Sequence, residues 1–185
     1  ARVDNHYRQQ EAYGAVCAAY MPWSWLSISS SYDFRYSLLK ADLKRFDDVE
    51  RVDQKVVFAT QLNWKGIQMA ASALHQRYID WTFANAGAAD PLYKWTPSVS
   101  LAYTFRGLTA RAWYKEIFRV PTLNDLYYTQ VGNRNLKPED TKQLNLGLEY
   151  HWSKRQWAVD VQADIYRNKI KNRIVCLRHH KFSLH

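Results

Sequence analysis

Apolar and polar side chains alternate, one residue at a time, along several stretches of this 185-residue chain. In the clearest one, residues 144–152, every second residue is leucine, tyrosine or tryptophan, and the residues between them are mostly polar. Successive side chains of a β-strand point to opposite faces of a sheet, so this pattern predicts a strand with one apolar and one polar face. The same alternation predicts strands within residues 26–34, 56–64, 98–105 and 157–165.

Three further segments alternate less well, and we assign them to strands from their neighbours. Residues 11–20 carry alanine on both faces, and residues 67–81 have Leu74 and Tyr78 out of phase with the apolar positions before them. Residues 108–118 carry Glu116 on the apolar face. The chain is therefore predicted to be all-β, with about eight strands.

The connections between these strands alternate strictly between short and long. Short turns are predicted near Pro22, at Lys65-Gly66, at Arg106-Gly107 and at residues 153–156, and long polar connections at residues 36–54, 82–94 and 119–141. Membrane β-barrels have short turns at one end and long loops at the other, with aromatic girdles at both interfaces. Aromatic residues stand beside the predicted short turns: Tyr20, Trp23, Trp25, Trp64 and Phe105. We therefore predict antiparallel transmembrane β-barrel strands.

The composition agrees with a membrane β-barrel, whose mean hydropathy is low although one face of each strand is apolar. The chain has thirteen Tyr and eight Trp, yet its mean hydropathy is -0.51, as expected when only alternate residues meet lipid. No run of about eighteen apolar residues is present, so no transmembrane helix is predicted. The predicted interior carries Ser, Thr, Asn and Gln together with Arg111 and Lys115, which makes the lumen polar.

The net charge of +9 is scattered over loops and polar strand faces. A nucleic-acid binder would concentrate its positive charge in a patch with stacking aromatic residues, and the sequence shows no such patch. Basic residues cluster only near the end of the chain, at Lys169, Lys171, Arg173 and Arg178. A basic loop surface is suited to the phosphates of an anionic outer leaflet. Cys17 and Cys176 have no metal-ligand spacing.

One connection carries distinctive sequence motifs. Phe118-Arg119-Val120-Pro121 ends the sixth predicted strand, and Gly132-Asn133 followed by Asn135-Leu136-Lys137-Pro138-Glu139 leads into the seventh. Pro121 and Pro138 lack an amide hydrogen and mark the edges of a loop. These two motifs resemble those of the TonB-dependent outer-membrane receptors, in which a strand ends with F-R-x-P and the loop that follows carries G-N-P-N-L-K-P-E. Arg134 stands where the family often has proline.

The resemblance implies a larger barrel of about 22 strands that encloses an N-terminal plug domain. Residues 1–175 would then be a partial barrel, forming an open, curved sheet with two unpaired edges when alone. Residues 176–185 show neither the alternation of apolar and polar residues nor a sequence motif of the family. We expect them to be an atypical tail, produced by truncation or a frameshift.

The resemblance also implies a function: active uptake of a bulky, scarce ligand such as a ferric siderophore, haem or cobalamin. The receptor would be integral to the outer membrane of a Gram-negative bacterium, among lipid and lipopolysaccharide, and would meet the TonB complex only through the plug. The candidate ligand contacts at strand tops and in loops are Tyr78, Trp81, Arg119, Tyr127 and Tyr128. Alternatively, these residues belong to the upper girdle or pack one loop on another, and the motif serves as a loop scaffold.

No catalytic motif is present, so neither an enzyme nor a cofactor or metal site is predicted. Two other functions stay open. A complete small outer-membrane barrel, adhesive or porin-like, requires the first and last strands to pair. A soluble polyanion-binding β-protein would stay monomeric without detergent. The sequence does not specify the ligand.

Overall fold

The computed structural model describes residues 6–42, 46, 48–83, 88–127 and 132–175. Eight strands form one antiparallel sheet in chain order, and one five-residue helix, α1, follows the sixth strand. The elements are β1 (Tyr7–Trp23), β2 (Leu26–Ala41), β3 (Val49–Trp64), β4 (Ile67–Thr82), β5 (Leu92–Phe105), β6 (Leu108–Arg119), α1 (Leu123–Tyr127), β7 (Glu139–Lys154) and β8 (Trp157–Lys171). The predicted all-β class and the predicted number of strands are confirmed.

The sheet is open. Each strand pairs only with its neighbours in sequence, and β1 and β8 lie at opposite edges. The pairing of first and last strands that a closed eight-stranded barrel requires is not present between β1 and β8. The expectation of an open sheet with two edges is therefore confirmed.

Tight turns join the strands at one end of the sheet. Lys65 and Gly66 have positive φ angles of 45° and 83°, and Arg106 and Gly107 have angles of 48° and 84°. Two consecutive residues with positive φ are the mark of a type I′ hairpin turn, whose twist matches that of the strands. Pairing continues up to these turns, for example from Trp64 to Ile67.

At the opposite end, one predicted loop is too long. Residues 36–54 were expected to be a polar connection, but β2 continues to Ala41 and β3 begins at Val49, with Tyr36 opposite Val52. Alternation weakens here because hydrophobic and charged residues are mixed on both faces, whereas the backbone ladder does not depend on side-chain polarity. The other two long connections are present, but each ends two residues or more before the predicted limit: β4 ends at Thr82 and β5 begins at Leu92, and β6 ends at Arg119 and β7 begins at Glu139.

The pairing register sorts the side chains into an apolar face and a polar face. Tyr32, Val56 and His75 are successive partners across β2, β3 and β4 and share the apolar face. Tyr78 is the partner of Asp53, and Leu74 is the partner of Val57, on the polar face. This position explains why Tyr78 and Leu74 are out of phase with the apolar residues of their strand. Large hydrophobic side chains stay exposed on the apolar face: Ile28, Phe58, Leu101, Leu146 and Val161, among others.

A small hydrophobic core lies on the polar face at the loop end. Leu39 of β2 and Val49 of β3 are partners in the ladder and are almost fully buried. Leu123, Leu126 and Tyr127 of α1 cover them, with Tyr7, Phe46 and Leu136 packed around. None of the helical segments in the described ranges is long and apolar enough to cross a membrane.

Candidate functional site

The segment after β6 folds back over the polar face of the sheet, and a reciprocal cap starts its short helix. The Thr122 N–H donates to Asp125 Oδ2 (2.9 Å), and the Asp125 N–H donates to Thr122 Oγ1 (3.1 Å). Such a capping box satisfies backbone donors that the first helical turn leaves open. It also turns Leu123 and Leu126 toward Leu39 and Val49.

A buried ion pair holds this segment to the strands. Arg51 of β3 donates to both carboxylate oxygens of Asp80 of β4, from Nε at 2.7 Å and from Nη2 at 2.8 Å. Its Nη1 donates to the Pro121 carbonyl at 2.7 Å. The two side chains are only 10% and 4% exposed. Bidentate geometry and the additional hydrogen bond are what a buried pair needs to offset its desolvation cost.

Tyr127 connects the helix to the same pair. Its hydroxyl donates to Asp80 Oδ2 at 3.0 Å and accepts a hydrogen bond from the Ala89 N–H at 3.3 Å. Burial, reinforced by the charge of Asp80, raises the pKa of the Tyr127 phenol, so the hydroxyl stays a neutral donor. The Arg134 guanidinium lies 5.5 Å from the centroid of its ring. Tyr127 thus joins its own connection to β4 and to the connection that follows β4.

The second half of the motif also forms loop structure. The Asn133 N–H donates to the Asp125 carbonyl (2.8 Å), and Asn133 Oδ1 accepts from the Asn135 N–H (2.9 Å). Leu136 packs on the core. Beyond it, Asn172 Nδ2 donates to the Pro138 carbonyl at 3.3 Å and connects the loop to the end of β8.

Two open clefts flank this segment. The larger, of about 530 Å³, is lined by residues of the connections that follow β4 and β6, such as Asp90, Leu126 and Lys137, and by strand residues such as Asp80. The other, of about 360 Å³, lies on the polar face beside the start of the motif. Its charged residues are four basic and two acidic: Arg35, Arg51, Lys55, Arg119, Glu11 and Asp53. We call this second space the wall cleft; its lining carries a basic excess.

The wall cleft contains an unusual carboxylate. Asp53 has a side chain that is 10% exposed, and its Oδ2 accepts a hydrogen bond from Lys55 Nζ at 2.9 Å. Its Oδ1 is buried and accepts no hydrogen bond from the described residues. A buried acceptor without a donor carries a desolvation cost.

Of the four candidate contact residues that the structure describes, two lie together. Tyr78 and Arg119 both line the wall cleft. Trp81 is the partner of Glu50 on the apolar face and is 45% exposed there, on the opposite side of the sheet. Tyr127 is buried and bonded to Asp80, and Tyr128 lies outside the described residues.

Sequence reasoning did not find Arg51, Asp53 or Asp80. Each is a charged residue within a strand, and such a charge does not by itself indicate burial or an ion pair. One signal was available: Arg51, Asp53 and Lys55 alternate along one strand, so they share one face. No group of three or more His, Cys, Asp or Glu that could hold a metal is found in the described part of the chain.

Comparison with known proteins gives a consistent result. The family model described as TonB dependent receptor-like, beta-barrel matches residues 44–179. A curated relative, the vitamin B12 transporter BtuB of Vibrio vulnificus (strain YJ016), is 44% identical over 59 residues, which are 31% of this chain and 9% of the relative. The matched segment is thus a small part of that protein.

Solved structures share the fold. The FrpB iron transporter from Neisseria meningitidis (F3-3 variant) superposes with a TM-score of 0.69 at 13% identity, over 96% of this chain and 30% of that one. The copper transporter OprC gives 0.67 at 16% identity, over 90% and 30%. The Serratia marcescens hemophore receptor HasR, solved with its hemophore HasA and heme, gives 0.62 at 12% identity, over 91% and 34%. The chain therefore spans about a third of these structures.

Proposed function

Because this chain belongs to the TonB-dependent receptor β-barrel family, we propose that it forms part of the wall of an outer-membrane receptor for a bulky, scarce ligand. In this setting the apolar face meets lipid, the polar face lines the lumen, and the long connections lie outside the cell. Residues 1–175 would be the barrel portion. Energy coupling would reach the barrel through a plug domain.

The apolar face has the dimensions that this role needs. On β7 the apolar positions extend from Leu144 to Trp152, nine residues, and on β8 from Trp157 to Ile165, again nine. A tilted strand crosses the hydrocarbon core with about 9–11 residues. Trp152 and Trp157 stand at the turn end, where amphipathic rings favour the interface.

The wall cleft is the observation that carries the proposal of ligand contact. Tyr78 supplies an aromatic ring, and Arg119 is an exposed cation. A ligand that offers an aromatic or macrocyclic surface together with anionic groups fits this set. Ferric siderophores, haem and cobalamin all belong to this class, and the match to the vitamin B12 transporter makes cobalamin the first to test.

A binding titration of the purified receptor that contains this chain tests the proposal. Cobalamin, haem and ferric siderophores would be compared, first with the natural protein and then with Tyr78→Leu and Arg119→Gln. Each substitution is expected to weaken binding of the recognised ligand about tenfold, because Tyr78→Leu removes an aromatic contact and Arg119→Gln removes a charge-assisted hydrogen bond. Arg106→Gln, at a short turn far from the cleft, is the matched control. Unchanged affinity in both cleft variants would contradict the proposal.

A further inference from the structure

Three of the tight turns have a basic residue at the same position. Lys65, Arg106 and Arg155 are each the first of the two residues between paired strands, and their φ angles are 45°, 48° and 55°. This left-handed region suits glycine, asparagine and aspartate, and a longer side chain is uncommon there. The geometry of the turns therefore does not require a lysine or an arginine at these positions.

At two of these turns the cation lies on the apolar side of the sheet. Lys65 Nζ is 4.9 Å from the centroid of the Trp64 ring, and Arg106 Cζ is 5.1 Å from the centroid of the Phe105 ring. Trp64 and Phe105 end the apolar alternation of β3 and β5 and are 51% and 55% exposed. A cation above such a ring keeps N–H donors free for a second partner.

The third turn adds a further cation on the same face. Lys154 follows Trp152 at the next position of the apolar face of β7 and is the ladder partner of Trp157 on β8. Arg155 comes directly after it in the turn. We call Lys65, Arg106, Lys154 and Arg155 the turn cations.

The charge of the turn cations is not compensated by the described part of the chain. The apolar-face positions of β3, β5 and β7 contain no carboxylate over residues 56–64, 99–105 and 144–152. The carboxylates nearest to the third turn, Glu149 and Asp160, lie on the polar face, where they contact Arg111 and His151. An anionic partner on the apolar side would therefore meet unneutralised positive charge.

The position of the turn cations limits what that partner is. A partner in the lumen would contact the polar face, whereas Lys65 and Arg106 lie above rings of the apolar face. Where the apolar stretch of a membrane strand ends, hydrocarbon gives way to head groups, and basic side chains there hold their charge in the polar layer. Under the proposed function, on which this inference rests, the short turns meet the inner leaflet of the outer membrane, which consists of glycerophospholipids.

We propose that the turn cations bind the phosphate groups of anionic glycerophospholipids in that leaflet. Neighbouring strands lie about 4.8 Å apart, so successive short turns are about 10 Å apart, which leaves room for one head group between two cations. The acyl chains of the same lipid lie against Leu101, Tyr103 and Leu148, which are exposed on the apolar face. A head group with net negative charge is favoured, because a zwitterionic one brings its own ammonium group to the phosphate.

Titration of phospholipid onto the purified, detergent-folded receptor that contains this chain tests the inference. The probes are phosphatidylglycerol, zwitterionic phosphatidylcholine with the same acyl chains, and inorganic phosphate. The variant K65Q/R106Q/R155Q is expected to bind phosphatidylglycerol about a hundredfold more weakly, since each basic side chain near an anionic surface contributes about fivefold. Phosphatidylcholine should bind the natural protein as weakly, and inorganic phosphate should not compete at millimolar concentration.

The matched control compares two single substitutions that remove the same charge. Lys65→Gln is expected to weaken phosphatidylglycerol binding about fivefold, and this variant also serves if the triple variant does not fold. Lys115→Gln removes an exposed cation from the polar face, where Lys115 is the partner of Ser98, and should bind like the natural protein. Equal losses in the two variants would reduce the effect to net charge and overturn the site, as would equal affinity of the natural protein for the two phospholipids.

Failure of this inference is distinguishable from failure of the proposed function. A natural receptor that folds in detergent and binds its transport ligand, but does not prefer phosphatidylglycerol, contradicts only the role of the turn cations. A natural receptor that does not insert into lipid vesicles at all contradicts the membrane role and, with it, both proposals.

Discussion

At the residue scale, the pair of Arg51 and Asp80 fixes the position of the motif segment. Arg51 has three hydrogen bonds, two to Asp80 and one to the Pro121 carbonyl, and Asp80 accepts a further one from Tyr127. A buried pair of this kind adds little net stability when complete. Removal of one partner, however, leaves a charge buried without compensation.

Replacement of Asp80 by asparagine is therefore expected to loosen the loop without unfolding the sheet. The free energy of local opening of residues 121–127 should fall by about 3–5 kcal/mol, because Arg51 stays buried and unpaired. Hydrogen exchange of the receptor, read by mass spectrometry on peptides from this segment, measures the change.

The matched control is Asp48→Asn, which breaks the pair of Asp48 with Lys40. There the side chains are 35% and 51% exposed, so the effect should stay under about 1 kcal/mol. Similar exchange in the two variants would show that Arg51 and Asp80 do not hold the segment.

At the element scale, three strands are linked by one arginine on the polar face. Arg111 of β6 pairs with Glu149 of β7 at 3.2 Å and with Asp164 of β8 at 3.0 Å. To reach β8 its side chain crosses β7 at Gly147, the direct partner of both Arg111 and Asp164. The missing side chain at Gly147 is what makes this bridge possible.

Substitution Gly147→Ala is expected to displace the bridge. A Cβ atom at this position would lie 2.5 Å from Asp164 Oδ1 and 2.6 Å from Arg111 Nε. The overpacking should cost roughly 1–3 kcal/mol, measured as a shift in the urea midpoint of the receptor folded in detergent.

Gly14→Ala is the matched control in β1, since a Cβ there would meet nothing within 4 Å. That variant should be neutral or slightly more stable, because alanine restricts the unfolded chain. A Gly147→Ala midpoint equal to that of Gly14→Ala would mean that the arginine bridge does not depend on the glycine.

At the scale of the whole molecule, none of the described residues packs over the apolar face of the sheet. Leu101, Leu146 and Ile165 are 47%, 51% and 76% exposed on the apolar face. A contiguous apolar surface of this size on one protein marks an interaction with a membrane or another partner. In the part of the chain that the structure describes, the motif segment covers the polar face at its loop end.

Two adjacent residues of β5 test the assignment of the faces. Leu101→Lys places a charge on the apolar face and is expected to cost about 2–4 kcal/mol near the bilayer midplane, with a corresponding loss of receptor folded into lipid vesicles. Ser100→Lys places the same charge on the polar face and should fold normally. Folding yield follows from the heat-modifiable mobility of the barrel on gels. Equal yields for the two variants would contradict a lipid-facing apolar surface.

Much of this architecture followed from the residue pattern. Alternation predicted the strands, and the Lys65-Gly66 and Arg106-Gly107 pairs predicted turns that the backbone angles confirm. The limits of β2 and β3 did not follow, because their pairing extends into residues where alternation weakens. The wall cleft was found only in part, through Tyr78 and Arg119, because its other members come from strands distant in sequence.

The sequence by itself determined the strand period, the turn end, the two faces and, through the motif, the family. These properties depend on the order of neighbouring side chains, which alternate at a fixed spacing along an extended backbone. The tertiary structure decided what the motif segment does. Only the register of the strands and the return of the chain over the sheet bring Arg51, Asp80, Pro121 and Tyr127 together, since such contacts join residues that no local pattern relates. That docking forms the wall cleft beside the loop.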